Sequence, residues 1–375
     1  MRRRGRRNAE DACYPDAFVG GTRDMRTKWP AVFAAVVVVT LATAGLAAAA
    51  PEKRGLEIYW IDAEGGAATL IVTPAGESVL VDSGWPGARD ADRIRQAARE
   101  AGVSRIDHLV TTHWHGDHVG GVAAVAERLP IGHFYDHGFP KGNVSDVDAL
   151  LRGAYQQVTQ GRSTVLHAGD EIPLRQPPGT PEVALRVVTS DGIVVGEAAG
   201  SPQTRTCNAQ PKHRAIPDDT SDNFRSVGLR LSFGGFDFLD LGDLTWNVEH
   251  KLACPRNLVG VIDVYQVTHH GNDNSNNPAL VAALAPTVAV IDNGAKKGGT
   301  AVVYRLLRAT PSIKDVFQLH RNVATAPADN APPELTANDD DACTGEWIRL
   351  RVDPPATHYT VEVHGKGTMR TYAVK

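Results

Sequence analysis

"THWHGDHVGG", residues 111–120, places three histidines and an aspartate (His113, His115, Asp117 and His118) within six positions. The apolar run "IDHLVTT" (106–112) leads into it, and Val119, Val122, Val125 and Leu129 follow at helical spacing until Pro130. The stretch therefore joins a buried strand to the start of a helix. Side chains at i and i+2 of an extended exit point the same way, so His113 and His115 can meet one cation. Asp117 and His118 come where the chain turns, adding a hard oxygen and another imidazole. A mixed nitrogen and oxygen set of this kind suits Zn2+, and also Fe or Mn. A lone surface histidine needs no ligand to explain it; four ligand-type residues at one strand end do.

Two later strand ends offer the same chemistry. "FLDLGDLTW" sets Asp243 just past one apolar run, and "VYQVTHHGND" sets His269 and His270 just past another. Three ligand sources on one rim are how a two-metal site can be built. Ahead of them, "LEIYWID", "ATLIVT" and "SVLVDS" read as an antiparallel meander punctuated by Gly65-Gly66 and Ala75-Gly76. A helix is expected from Asp90 to Ala101, stopped by Gly102. "SVGLRLSF" and "FDFLDL" read as a hairpin about Gly234-Gly235. Helices are expected from near Pro278 and over 301–309. No repeat of fixed period is present. Strands alternating with helices in two similar halves predict an α/β architecture: two sheets with helices outside, a four-layer αβ/βα sandwich.

The domain plan follows. Residues 1–50 read as an N-terminal leader: Met25 as the start, basic Arg26 and Lys28, an apolar run from Ala31 to Ala50, and small residues at Ala47 and Ala49. That predicts an exported protein, periplasmic or extracellular; an uncleaved membrane anchor is the alternative. Residues 51–325 form the main domain, and 326–375 a linker and C-terminal strands, a short β extension. Residues 193–222 read as a long loop, either lid or insertion.

Composition narrows the partners. The 375 residues carry 39 Lys+Arg against 43 Asp+Glu. Eight of the basic residues precede residue 50, so the remainder is more acidic still. There is no strong general nucleic-acid patch. Lys296, Lys297, Arg305 and Arg308 read as a solvated helix face. Cys207 and Cys254 lie in loop-like segments and can pair in an oxidising compartment; no C-x-x-C pair indicates a thiolate zinc site.

On these residues the chain resembles the metallo-β-lactamase fold superfamily over roughly 55–325. Within it, "IDAEGGAATLIVTPAGESVLVDSG", "DNFRSVGLRLSFGGFDFLDLGDL" and "VTHHGNDNSNNPAL" are most similar to the branch of the competence (DNA-uptake) proteins, as a secreted stand-alone member. The resemblance implies one metal on His113 and His115, a second on Asp117, His118 and His269, and Asp243 bridging them. The pair would be two divalent ions, Zn2+ first and Mn2+ or Fe as alternatives. Asp82 would brace the His113 loop from behind. Asp117 and Asp243 would serve catalysis as ligands, with His270 touching substrate or orienting His269; the swapped assignment of the two histidines is the alternative. His137 and His320 are candidates for the pocket. The lactamases, glyoxalases and lactonases of the fold supply a further histidine between the motif and the bridging aspartate. Nothing here clearly fills that place: His167 reads as a turn residue and His213 as a loop residue. The competence-like branch has an Asn and a Ser there, matched by Asn223 and Ser226.

The implied chemistry is hydrolysis by a metal-bridged hydroxide, between ions roughly 3.5–4 Å apart. A phosphodiester is the first expectation for the substrate, a small or nucleotide-like molecule. A carbonyl substrate (lactone, ester or β-lactam) is the alternative, and a non-catalytic binding protein the last.

Overall fold

The computed structural model describes residues 54–139, 146–196, 214, 216–341 and 345–375. The expected leader, Cys207 and His213 lie outside the described residues.

The chain opens with the antiparallel strands β1 (Leu56–Trp60), β2 (Thr69–Val72) and β3 (Ser78–Val81). After helix α1 (Ala88–Glu100) come β4 (Ile106–Val110), α2 (Gly116–Val119), α3 (Val122–Ala126) and β5 (Ile131–Asp136). Strand β4 runs parallel to both β3 and β5. Helix α4 (Ala149–Thr159) and the two-residue β6 (Thr164–Val165) finish this half. The helical spacing read from Val119 to Leu129 resolves into the two short helices, which meet at Gly120-Gly121.

The second half holds β7 (Glu171–Ile172), β8 (Val183–Ser190), β9 (Ile193–Val194), β10 (Gly228–Phe233) and β11 (Phe236–Asp240). Then α5 (Trp246–Ala253), β12 (Val264–Gln266), α6 (Pro278–Leu284), β13 (Val288–Ile291), α7 (Ala301–Ala309) and β14 (Asp315–His320) alternate. From β11 to β14 the pairs are parallel, as strand–helix crossovers require.

Residues 326–341 are not a linker. They fold into two short helical turns and β15 (Thr336–Asn338), which pairs with β14. The Pro- and Asp-rich composition hid this, because Asn330, Ala331 and Leu335 turn inward and are buried. The chain then returns to the first sheet. Strands β16 (Ile348–Val352), β17 (His358–Val363) and β18 (Thr368–Ala373) extend it outward from β1. The C-terminal strands thus continue the main sheet, whose order is β18-β17-β16-β1-β2-β3-β4-β5-β6.

Alternation along β1 defines the layers. Leu56, Ile58 and Trp60 point between the sheets, while Tyr59 faces outward with Leu70, Leu80 and Leu109 onto α1, α3 and α4. On the second sheet, Leu252, Leu280 and Leu307 carry α5, α6 and α7 into the larger core. Burying each such side chain contributes about 1.5–3 kcal/mol. The Trp60 ring meets Phe238 edge-on at 5.7 Å between the sheets. Trp60 Nε1 and Thr69 Oγ1 both donate to Gln266 Oε1, at 2.8 and 3.0 Å. One sheet is thereby keyed to the other directly beneath the rim that carries the histidines.

Candidate metal centre

The ends of β4, β11 and β12 converge on one rim. Beyond β4 the extended His115 precedes α2, so the motif rounds a turn with His113 and His118 fully buried. Beyond β11 comes Asp243, whose backbone N–H donates to Ser226 Oγ. Beyond β12, His269 (φ 57°, ψ 46°) and His270 (φ 53°, ψ 17°) both adopt the left-handed conformation. For residues with a Cβ this costs about 1–3 kcal/mol each, and such strain persists only where the surroundings enforce it. Here the His269 N–H donates to Gly242 O at 2.9 Å, and the Gly299 N–H to His270 O at 2.7 Å. Gly298 permits that closure: a Cβ there would lie 2.2 Å from His270 O.

Outer hydrogen bonds set the tautomer of each ring. His118 Nδ1 donates to Asp82 Oδ2 at 2.7 Å. Thr112 Oγ1 donates to the same carboxylate oxygen at 2.7 Å, and so accepts from His113 Nδ1 at 3.1 Å. His115 Nε2 donates to Asp146 Oδ2 at 2.8 Å. His269 Nδ1 donates to Ser275 Oγ at 3.1 Å, and Ser275 Oγ donates onward to Leu244 O. His270 Nδ1 faces the Asp292 carbonyl at 3.3 Å.

Each ring therefore turns its proton outward and its bare nitrogen inward. His118 Nε2 and His270 Nε2 lie 3.2 Å apart. Each stands 3.3–3.5 Å from Asp243 Oδ1 and 3.4–3.5 Å from Asp117 Oδ2. His113 Nε2 lies 3.1 Å from His115 Nδ1 and 3.9 Å from Asp243 Oδ2. Lys297 Nζ donates to Asp117 Oδ2 from one side; the remaining acceptors this close to one another call for cations between them, either protons or metal ions. Among the described residues, Asp117, His118, Asp243 and His270 form one candidate metal-binding cluster, and Asp62, Glu64 and His320 a second.

The electrostatics agree. Burial opposes charge on Asp243 and Asp117, but the surrounding imidazoles outweigh it, aided at Asp117 by Lys297, and hold both carboxyls well below their ordinary range. Burial also opposes charge on His118 and His270. The carboxylates win there too, raising His118 well above its ordinary value and His270 to about 9. His113 and His269 are shifted down, by burial first, which leaves them neutral.

One assignment must be corrected. His269, expected beside Asp117 and His118, instead faces the other oxygen of Asp243, Oδ2, at 3.3 Å. His270 takes the place beside Asp117 and His118. The paired left-handed residues cause the exchange, and the sequence gives no sign of that backbone.

The remaining residues sort by contact. Asp82 stands behind the motif, accepting from the Thr112 N–H and hydroxyl as well as from His118. His137 meets the motif through Asp222: its Nε2 bonds Asp222 Oδ2, which also accepts the Trp114 N–H. His320 belongs to a separate network with Asp62, Glu64 and Arg93. Asn223 is buried, and its Oδ1 has no hydrogen-bond partner among the described residues. His167 is exposed.

Sequence reasoning missed Lys297 and Asp146. Lys297 does not sit on a solvated helix face with Arg305: its Nζ contacts Asp117 Oδ2 and lies 5.2 Å over the Trp85 ring. Its place after β13, a third parallel strand ending on the same rim, was the available signal. Cys254 is disulfide-bonded.

Residues 61–142 match the metallo-beta-lactamase superfamily, and the two-sheet architecture with outer helices is the fold of that superfamily. Competence protein ComA of Neisseria gonorrhoeae is 27% identical over 264 residues, 70% of this chain and 30% of that protein. An atrochrysone carboxyl ACP thioesterase of Pseudocercospora fijiensis is 30% identical over 103 residues, 28% of this chain and 30% of that protein. The chain thus spans under a third of the length of these two curated relatives. Among solved structures, CmlA, a diiron beta-hydroxylase from Streptomyces venezuelae, aligns with a TM-score of 0.35 at 18% identity, over 64% of this chain and 45% of that one.

Proposed function

We propose that this chain, which carries a metallo-β-lactamase superfamily domain, is an exported metal-dependent hydrolase acting on phosphodiester bonds. The observation that carries the reading is Asp243: one carboxylate presents Oδ1 to His118 and His270 and Oδ2 to His113 and His269. His115 and Asp117 complete the two groups. The donor set of imidazoles and carboxylates suits Zn2+, with Mn2+ or Fe as alternatives.

Divalent ions held there supply Lewis acidity, acidifying water and stabilising charge on the scissile group. The protein supplies orientation. Asp82, Asp146, Ser275 and Asp292 fix the rings through their outer nitrogens, so that no ligand has to reorient as charge develops. Beside the buried Asp117, Lys297 adds an ammonium and Trp85, 37% exposed, an indole face. A fixed cation beside an aromatic platform suits an anionic substrate with a flat group, as a nucleotide phosphodiester has. The likeness to a competence protein supports the same choice.

A carbonyl substrate is the second reading, favoured by the likeness to a thioesterase. Export is supported by the leader-like residues 1–50 and by the disulfide at Cys254. Among the described residues no helix is long and apolar enough to cross a membrane.

A substrate panel tests the proposal. The full chain, with and without chelator, is assayed on a chromogenic phosphodiester, a chromogenic β-lactam and an aryl ester. Chelator-sensitive phosphodiester cleavage that disappears in His115→Ala is expected. Turnover of only the lactam or ester overturns the phosphodiester assignment in favour of the second reading.

A further inference from the structure

We infer that His269 supplies the third imidazole of the first metal position, with His113, His115 and Asp243 Oδ2, in the place that related folds fill from between the motif and the bridging aspartate. The inference rests on the two-metal reading above and assigns a ligand within it.

Three observations converge. The first is hydrogen-bonding. Ser275 Oγ donates to Leu244 O and so can only accept from His269 Nδ1, which puts that ring's proton on Nδ1. The bare Nε2 then faces Asp243 Oδ2 at 3.3 Å, lone pair against carboxylate. Such a contact is repulsive until a cation sits between the two atoms.

The second is backbone geometry. Successive side chains of a strand point to opposite faces, and neighbours on a helix diverge by about 100°. Neither arrangement aims adjacent rings at the two oxygens of one carboxylate. Two consecutive left-handed residues do so here, with the rings 6.2 Å apart and inclined at 67°. Asn276 secures the turn, its Nδ2 donating to Thr268 O and Asn272 O.

The third is the commitment of other histidines. His137 is engaged by Asp222, His320 by Asp62, and His167 is exposed. Among the described residues, His269 is the further imidazole that faces Asp243 Oδ2.

Metal counting in paired variants tests this without recourse to activity. The full chain is equilibrated with Zn2+, dialysed, and its bound zinc counted by mass spectrometry. His269→Asn is the informative change, because Asn tolerates the left-handed backbone. The wild type is expected to hold two ions per chain, and His113→Ala and His269→Asn one each. The double variant His113→Ala/His269→Asn should still hold one, since both changes strike the same position. His118→Ala/His269→Asn should hold none.

Retention of two ions by His269→Asn overturns the inference while leaving the hydrolase reading intact. So does loss of both ions in His113→Ala/His269→Asn with one retained in His118→Ala/His269→Asn. A wild type that holds no zinc overturns the two-metal reading itself. Ser275→Ala guards against misfolding of the direct variants. It frees the His269 tautomer and should weaken one zinc roughly 10–100-fold while leaving the other unchanged; two affinities both unchanged from wild type in that variant contradict the assignment.

Discussion

Asp82 Oδ2 accepts the Nδ1 proton of His118 at 2.7 Å, from a backbone position with a φ of 60°. The same carboxylate accepts the Thr112 hydroxyl, and through it sets the His113 ring. One buried charge therefore orients a ligand on each side of Asp243. Asn fits the left-handed backbone and the volume but lacks the charge and one acceptor. Asp82→Asn should leave the fold intact and weaken zinc binding roughly 10–100-fold, measured by competition against a chromogenic chelator. Unchanged affinity would show that Asp82 only ties strand ends together.

Lys297 joins Asp117 to the Trp85 face. If it receives an anionic oxygen of the substrate, Lys297→Ala removes a charge-assisted hydrogen bond worth about 1.5–3 kcal/mol. On a phosphodiester, kcat/KM should then fall roughly 10–100-fold. A neutral ester should suffer less than about 3-fold, because it offers the ammonium no anionic oxygen. Equal losses on both substrates would mean that Lys297 acts only by holding Asp117.

Glu249 lies buried on α5, its Oε2 accepting the Asn277 N–H at 2.7 Å. Burial pushes its carboxyl up from 4.5 to about 7. The folded chain thus keeps a proton that the unfolded chain has released between those two values. The stability this contributes is full below about pH 4.5 and is lost as pH rises through 7. Glu249→Gln should flatten that slope and raise stability at pH 8 by about 1–3 kcal/mol. Urea melts of chelated protein across pH 5–8 check this, and a parallel shift at every pH would contradict it.

Much of the architecture was legible because its signals are local. Alternation in "LEIYW" and "TLIV", the amphipathic run after Gly87 and the Pro278 helix start each state their own conformation. The motif from His113 to His118 was legible for the same reason: its ligands are close in sequence. What stayed hidden depends on long-range packing. The left-handed pair at His269 and His270 is enforced by Gly242 and Gly299, each from a different strand end. The paired carboxylate of His115, Asp146, is 31 residues away. Residues 326–341 resembled a linker because Pro and Asp carry no periodicity, yet their burial comes from β14 alongside.

Zinc titration of the metal-free full chain, with phosphodiester hydrolysis followed at each addition, tests the central claim most directly. The account predicts no turnover without metal, turnover that saturates at two ions per chain, and none in Asp243→Ala at any zinc concentration. Full activity in the metal-free chain, or activity surviving in Asp243→Ala, would contradict it.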